Sequence, residues 1–191
     1  MTGMVRAALT AAALVALASQ GIAQETAPAG GPEMVVPLAA AAQTAPRDPN
    51  RGSVTSLPLP RYVSLKTNEG NARRGPGLTH RIDWVFTRAG MPLRITAEFE
   101  HWRRVEDSEG VGGWVHYSLL SGVRTALVTQ DMAEFRTLPD MNAPVSLQAE
   151  MGVVARILQC ERDWCRLSVD GQRGWVQRNA LWGLSRDETI D

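Results

Sequence analysis

Hydrophobic and polar positions keep three different rhythms along this chain. Residues 7–18 (AALTAAALVALA) are apolar almost without interruption. Residues 24–60 are rich in Ala, Pro, Gly, Ser and Thr and hold no aromatic side chain. From Arg61 onward the apolar positions come in short, closely spaced runs. Pro92–Phe99 alternates, and after a short turn Trp102 to Val105 forms a second run, followed by a Gly-containing loop and Gly113-Trp114-Val115. Val153 to Cys160 and Trp164 to Val169 are rich in β-branched and apolar residues, and Asp170-Gly171 is a tight-turn dipeptide after the second of them. No window sustains the 3.6-residue period of an amphipathic helix. Short strands with glycine turns predict an all-β protein built of small barrels rather than one sandwich.

The first rhythm reads as an address. Arg6 gives a positive start, the apolar stretch is shorter than the roughly 20 residues that cross a bilayer, and Gly21-Ile22-Ala23 places small residues where a leader is cut. Residues 1–23 are therefore expected to be a cleaved signal peptide. No other segment reaches spanning length, and the only cysteines, Cys160 and Cys165, lie far from the cut. The expectation is a soluble mature chain without a transmembrane segment, periplasmic or secreted. Residues 24–60 cannot bury enough apolar surface to offset their ordering entropy, and are expected to be a disordered linker. Met34-Val35-Val36 is the one run there with strand or docking character.

Self-comparison of the rest reveals a repeat. Residues 89–122 align with 149–183: Met91 with Met151, Trp102 with Trp164, Gly113-Trp114-Val115 with Gly174-Trp175-Val176, and Leu120 with Leu181. The offsets are 60, 62 and 61, so the insertions are one or two residues long and belong in hairpin loops. The organisation expected is one unit at 61–122, a divergent second at 123–184 and a tail at 185–191. Residues 121–128 leave no flexible linker, so the two units should dock.

Asn71-Ala72-Arg73-Arg74-Gly75-Pro76-Gly77, a strand, Trp102, and Gly113-Trp114-Val115-His116 with Ser118-Leu119-Leu120 resemble the bacterial SH3-like domain, marked by an N-x-R-x-G-P opening, a central Trp and a G-W-V-x-x-x-x-L close. The resemblance covers about 61–184 and is most similar to exported proteobacterial proteins with two such domains. It implies two tandem SH3-like β-barrels with no enzymatic activity. It also implies a groove for an extended peptide or glycan lined by Asn71, Arg73, Trp102, Trp114 and Tyr117, with Trp164 in the second copy. Implied partners are a cell-wall polymer, peptidoglycan peptide or glycan, or else a periplasmic protein. The second copy opens with Ala133-Glu134-Phe135-Arg136-Thr137-Leu138-Pro139, which keeps one Arg and the Pro but loses the Asn and Gly. A ligand role for that loop is in doubt there.

The cysteines are readable by geometry. If Arg162-Asp163 is a two-residue turn, Glu161 pairs with Trp164 and Cys160 lies opposite Cys165, at the short end of the Cα separation a disulfide tolerates. Subtracting 62 lands on Glu98 and Arg103, an opposite-charge pair at the same cross-strand position. An exported compartment permits the bond. Free thiols stay open as the alternative; a redox pair normally has two intervening residues, and a metal would need further ligands.

Composition adds mainly exclusions. The chain of 191 residues has 20 basic and 20 acidic side chains, and nucleic acid is not expected as a partner. The counts are nine basic and seven acidic in 61–122, and seven of each in 123–184, so neither unit is a basic patch. His80, His101 and His116 all fall in the first copy, without counterparts in the second. Sequence neighbours such as His116-Tyr117-Ser118 do not by themselves make a catalytic geometry. Glu106-Asp107-Ser108-Glu109-Gly110 lacks the alternation of a calcium loop and reads as a turn. No metal or cofactor is expected. Trp114 and Trp175 are expected to help fill the barrel interiors.

Overall fold

The computed structural model describes residues 48–191. The expected leader, its cut after Ala23, and the linker up to residue 47 lie outside the described residues.

The first unit contains β1 (Arg61–Leu65), β2 (Gly70–Arg73), β3 (Ile82–Phe86), β4 (Pro92–Phe99), β5 (Trp102–Glu106), β6 (Gly112–His116) and β7 (Leu120–Ser121). The second contains β8 (Thr125–Val128), β9 (Ala133–Arg136), β10 (Val145–Ala149), β11 (Val154–Cys160), β12 (Trp164–Val169), β13 (Gln172–Gln177) and β14 (Leu181–Trp182). A 3-10 turn precedes the last strand of each, at Tyr117–Leu119 and Arg178–Ala180. The sheets have the same order, β3-β2-β6-β5-β4-β1-β7 and β10-β9-β13-β12-β11-β8-β14. The protein is thus all-β, with two tandem copies of one topology. Six strands of each sheet contribute to one shared interior, so each sheet curls around its own core; among the described residues no strand pairing joins its two edges.

The copies agree in fine detail. Each has a register shift in its central hairpin, at Ile95/Ala97 and at Ile157/Gln159, where one extra residue increases the local bend. Asp170 and Gly171 both have positive φ, 50° and 87°, the backbone needed between β12 and β13, and Val169 pairs with Gln172. The first core packs Leu65, Phe86, Leu93, Ile95, Val105 and Val115; the second packs Val128, Phe135, Ala155, Ile157, Leu167 and Val176. Each core has one aromatic ring, but it has moved. The first core has Phe86 on β3 and the small Ala72 on β2, whereas the corresponding places hold Ala149 and Phe135. Exchanging large and small across neighbouring strands keeps the interior volume, which cores tolerate well. The expectation that Trp114 and Trp175 fill the interiors is corrected. Both are half-buried on the outer face, because Val115 and Val176 beside them take the inward places.

The units dock directly. The Thr125 hydroxyl donates to the Gly90 carbonyl at 2.7 Å, Arg88 donates to the Gly152 carbonyl at 2.7 Å, and Tyr62 meets Trp182 edge-to-face at 5.3 Å. Gly183, at φ 116°, has no room for a side chain, since a Cβ would lie 2.8 Å from the Thr125 carbonyl.

Composition assigns 24–60 to a linker, yet residues 51–60 lie against the first unit. Arg51 bridges Pro58, and the turn between them delivers Val54 and Thr55 to the buried Glu98 carboxylate. A buried carboxylate needs several donors, and this segment supplies them. The tail is tied down similarly: Ile190 pairs with Cys160, and Glu188 with Arg124.

Candidate ligand-binding face

The outer face of β2, β5 and β6 collects most of the expected site residues. Trp102 lies opposite His116, Arg104 opposite Trp114, and Trp114 opposite Arg73. Alternation along the strands puts all of these on one face, with Ala72, Val105 and Val115 on the other, in the core. The motif G-W-V follows from this geometry. A Cβ at Gly113 would lie 2.6 Å from the Arg73 carbonyl, so glycine lets β2 approach β6; Trp114 then faces out and Val115 in.

The N-x-R motif is partly structural. Arg73 donates through Nη1 to the carbonyls of Leu78 (3.0 Å) and His80 (2.7 Å), which holds the 74–81 loop over the sheet. Gly75 lies under the His80 ring, which would be 2.7 Å from a Cβ there and would have to move for any side chain. At the rim, Asp83 accepts from Arg74 at 2.9 Å and Arg81 at 2.7 Å. These hydrogen bonds, Arg74 first and then Arg81, hold its carboxyl below the ordinary range. Arg136 keeps the loop-holding role in the second copy by donating to the Ala143 carbonyl at 2.7 Å. That explains why an Arg survives where the Asn and Gly do not.

Two clefts lie on this face. One brings Leu78, His101, Trp102 and His116 together. Trp102, 8% exposed, meets the His116 ring edge-on at 5.5 Å, and His116 and His101 lie 4.9 and 5.8 Å from Tyr117. Leu78 is 77% exposed and Tyr117 51% exposed, so the cluster presents an apolar and aromatic surface to solvent. The other cleft is lined by Arg73, Arg74, Arg104, Trp114 and the glycines 112 and 113, together with the acids Asp83 and Glu106.

The six expected residues therefore do not form a single groove. Trp102 lines the first cleft, with Tyr117 beside its two histidines, and Arg73 and Trp114 line the second. Asn71 is half-buried opposite Val85 and lines neither. Trp164 lines a separate pocket in the second unit, with Met132 and Met141. Sequence reasoning left out Arg104 and the two histidines of the cluster. The signal was available: the turn at 107–111 that joins β5 to β6 sets His116 opposite Trp102.

The equivalent surface of the second unit has different chemistry. Gln177 and Arg178 stand where His116 and Tyr117 stand in the first. Gln177 donates to the Met141 sulfur, and Arg178 donates to the carbonyls of Glu161, Ser185, Arg186 and Glu188, holding the tail. Two further sites resolve simply. His116 Nδ1 lies 2.7 Å from the Ser118 hydroxyl as the cap of the 3-10 turn. The Asp107 carboxylate accepts from the amides of Glu109 and Val111, both at 2.9 Å, as a turn lock. Among the described residues no cluster of His, Cys, Asp or Glu is suited to a metal. No described helix is long and apolar enough to cross a membrane.

Fold and face together define a pair of small β domains with an aromatic, arginine-flanked outer surface. The bacterial SH3 domain family matches twice, at residues 66–122 and 129–183, and the chain belongs to that family. No curated protein matches it. Solved structures that share features with it include NlpC2 and NlpC1 from Trichomonas vaginalis, each 16% identical with a TM-score of 0.31. They cover 64% and 69% of this chain, and the alignment spans 48% of each of theirs, so this chain matches about half their length.

Proposed function

We propose that this protein is an exported, non-catalytic binding module of the bacterial cell envelope that recognises peptidoglycan peptide or glycan through the first unit. The observation that carries the reading is the convergence of Leu78, His101, Trp102, His116 and Tyr117 into one solvent-facing aromatic cluster. Flat rings with polar edges suit extended peptides and sugars, which offer apolar faces beside hydrogen-bonding groups. The second unit, whose corresponding surface is committed to its own tail, packs directly against the first. The disulfide supports export, since such bonds persist in oxidising compartments.

Co-sedimentation with purified sacculi tests this. The parent protein should pellet with sacculi, and Trp102→Ala should abolish pelleting. Because Trp102 is nearly buried, the exposed double variant His101→Ala/Tyr117→Ala is the cleaner probe and should reduce pelleting at least severalfold. A parent protein that stays in the supernatant would overturn the reading.

A second reading, a periplasmic protein–protein adaptor, is favoured by the exposed side chains on the edge strand β3, where Ile82, Trp84 and Val85 are all exposed. An open edge invites strand addition by a partner chain. Cross-linking to one defined protein, without sacculus binding, would select it.

A further inference from the structure

In both units a half-buried tryptophan lies across the sheet between two arginines. The rows are Arg73–Trp114–Arg104 and Arg136–Trp175–Arg166, in the same register. The first arginine of each row holds a loop. The second, Arg104 or Arg166, is exposed, and among the described residues its guanidinium makes no ion pair or hydrogen bond. Among the described residues neither lies over an aromatic ring; the arginines that do are Arg103 over Tyr117 and Arg124 over Tyr62. The fold itself does not call on these two side chains.

In the first unit this arginine faces the second cleft. The acids that line it are already neutralised: Asp83 by Arg74 and Arg81, and Glu106 by Arg94. Arg73 spends its Nη1 hydrogens on neutral carbonyls, so its charge stays uncompensated, as does that of Arg104. The floor is bare backbone, since a Cβ at Gly112 would fall 2.0 Å from the Val105 carbonyl. Two guanidinium groups without a carboxylate partner, an indole face and a glycine-lined floor match a compact anion that carries a small apolar group. A planar carboxylate suits a guanidinium fork, and an attached alkyl group suits the indole. A phosphate polymer is a poor match, because the flanking Arg74, Arg81 and Arg94 are engaged by Asp83 and Glu106, which leaves no extended run of free cations.

We propose that Arg104 and Trp114 form a binding site for the free carboxylate end of a cell-wall stem peptide. This rests on the cell-envelope reading above and names the part of the polymer recognised. In the second unit Glu134 pairs with Arg136, which leaves the row one positive charge poorer and the weaker site.

The test is titration of the full chain with diacetyl-L-lysyl-D-alanyl-D-alanine and with its C-terminal amide, followed by tryptophan fluorescence. The acid should bind and the amide should bind about tenfold more weakly or worse. Arg104→Gln should lose about tenfold in affinity for the acid, with Arg104→Lys intermediate, as expected for one charge-assisted contact. Arg166→Gln should change it less than about threefold. Equal binding of acid and amide, or an Arg104→Gln protein that binds like the parent, overturns the proposal. Sacculus co-sedimentation separates the two levels. If the parent and Arg104→Gln pellet equally, the carboxylate site fails and the cell-wall reading stands. If neither pellets while tripeptide binding depends on Arg104, the carboxylate site stands and the cell-wall reading fails.

Discussion

The hairpins β4–β5 and β11–β12 occupy the same place in the two units and are closed by different chemistry. In the first, Glu98 faces Arg103 across the ladder; in the second, Cys160 faces Cys165 with Cα atoms 4.1 Å apart and the sulfurs bonded. Each closure also anchors a segment from outside the repeat. Ser53 donates to the Glu98 carbonyl at 2.7 Å, and the Ile190 amide donates to the Cys160 carbonyl at 3.1 Å. The difference lies in what each closure demands of its surroundings. A disulfide is complete in itself, and the tail needs to offer it only backbone. A buried carboxylate must be surrounded by donors. The Glu98 side chain is 0% exposed and accepts from Arg61 at 2.6 Å, the Thr55 hydroxyl at 2.7 Å, the Thr55 amide at 2.8 Å and the Val54 amide at 3.0 Å. Gly52 is part of the same demand, since a Cβ there would collide with the carboxylate at 2.3 Å. The ion-paired unit therefore recruits chain that composition would leave free, and the disulfide unit does not need to.

The most severe way to break this comparison is to remove the charge and keep the shape. Glu98→Gln leaves Arg61 and Arg103 partly buried without a counter-ion. Breaking a buried pair from one side typically costs about 3–5 kcal/mol. Urea unfolding should show a loss in that range, with the amides of Val54 and Thr55 losing protection from hydrogen exchange. A loss below about 1 kcal/mol would mean that the segment is held by its own turn and the ion pair is incidental.

The parts legible from sequence and those that were not divide along the same line. Pairing between neighbours in the chain was readable. The turn at Arg162-Asp163 fixes Cys160 against Cys165, and the repeat offset of 62 carries the same pairing to Glu98 and Arg103. Contacts over long separations were not. Nothing local marks Thr55 as a partner for Glu98, and the composition of 48–60 argues against order. The site shows the same limit. Trp102 and Tyr117 were named from the resemblance, but Arg104 was passed over. Its significance lies in the absence of an unengaged carboxylate beside it, and that appears only when Asp83 and Glu106 are seen to be held by other arginines. The exchange of Phe86 for Phe135 was likewise invisible, because only the summed volume of two strands explains it.

Acid sharpens the comparison by acting on charge alone. Burial by itself pushes the Glu98 carboxyl upward. The Thr55 hydroxyl and amide, Arg61 and the Val54 amide outweigh burial and hold it at about 2, against an ordinary 4.5. A carboxyl depressed on folding contributes its stabilisation in full above the unfolded value, and loses it as pH falls toward the folded one. The contribution, up to about 3 kcal/mol, should therefore disappear between pH 4.5 and 2. Glu188 also titrates below its ordinary range: burial opposes the shift, and Arg124 and the Ser185 amide drive it, so acid touches the tail too. Comparing the parent with Glu98→Gln isolates the first unit, because the variant should lack the Glu98 part of the pH slope. Identical slopes in the two proteins would remove Glu98 from the account.

Reduction acts on the other closure and should have the smallest effect of the three. Cys160 and Cys165 are separated by five positions, so the loop they close is short. The chain-entropy model then gives about 2 kcal/mol for constraining the unfolded chain. The Cys160→Ser/Cys165→Ser protein should unfold at lower urea by that amount and keep its native strand content, because the hairpin retains its ladder to β13. The spatial signature distinguishes this from general weakening. Exchange should rise at the amides of Cys160 and Ile190, which bond to each other's carbonyls, and stay unchanged at Val54 and Thr55. If the double variant instead frees the Val54 and Thr55 amides, the closures communicate through the docked face between the units. They would then be two ends of one cooperative structure rather than independent local solutions.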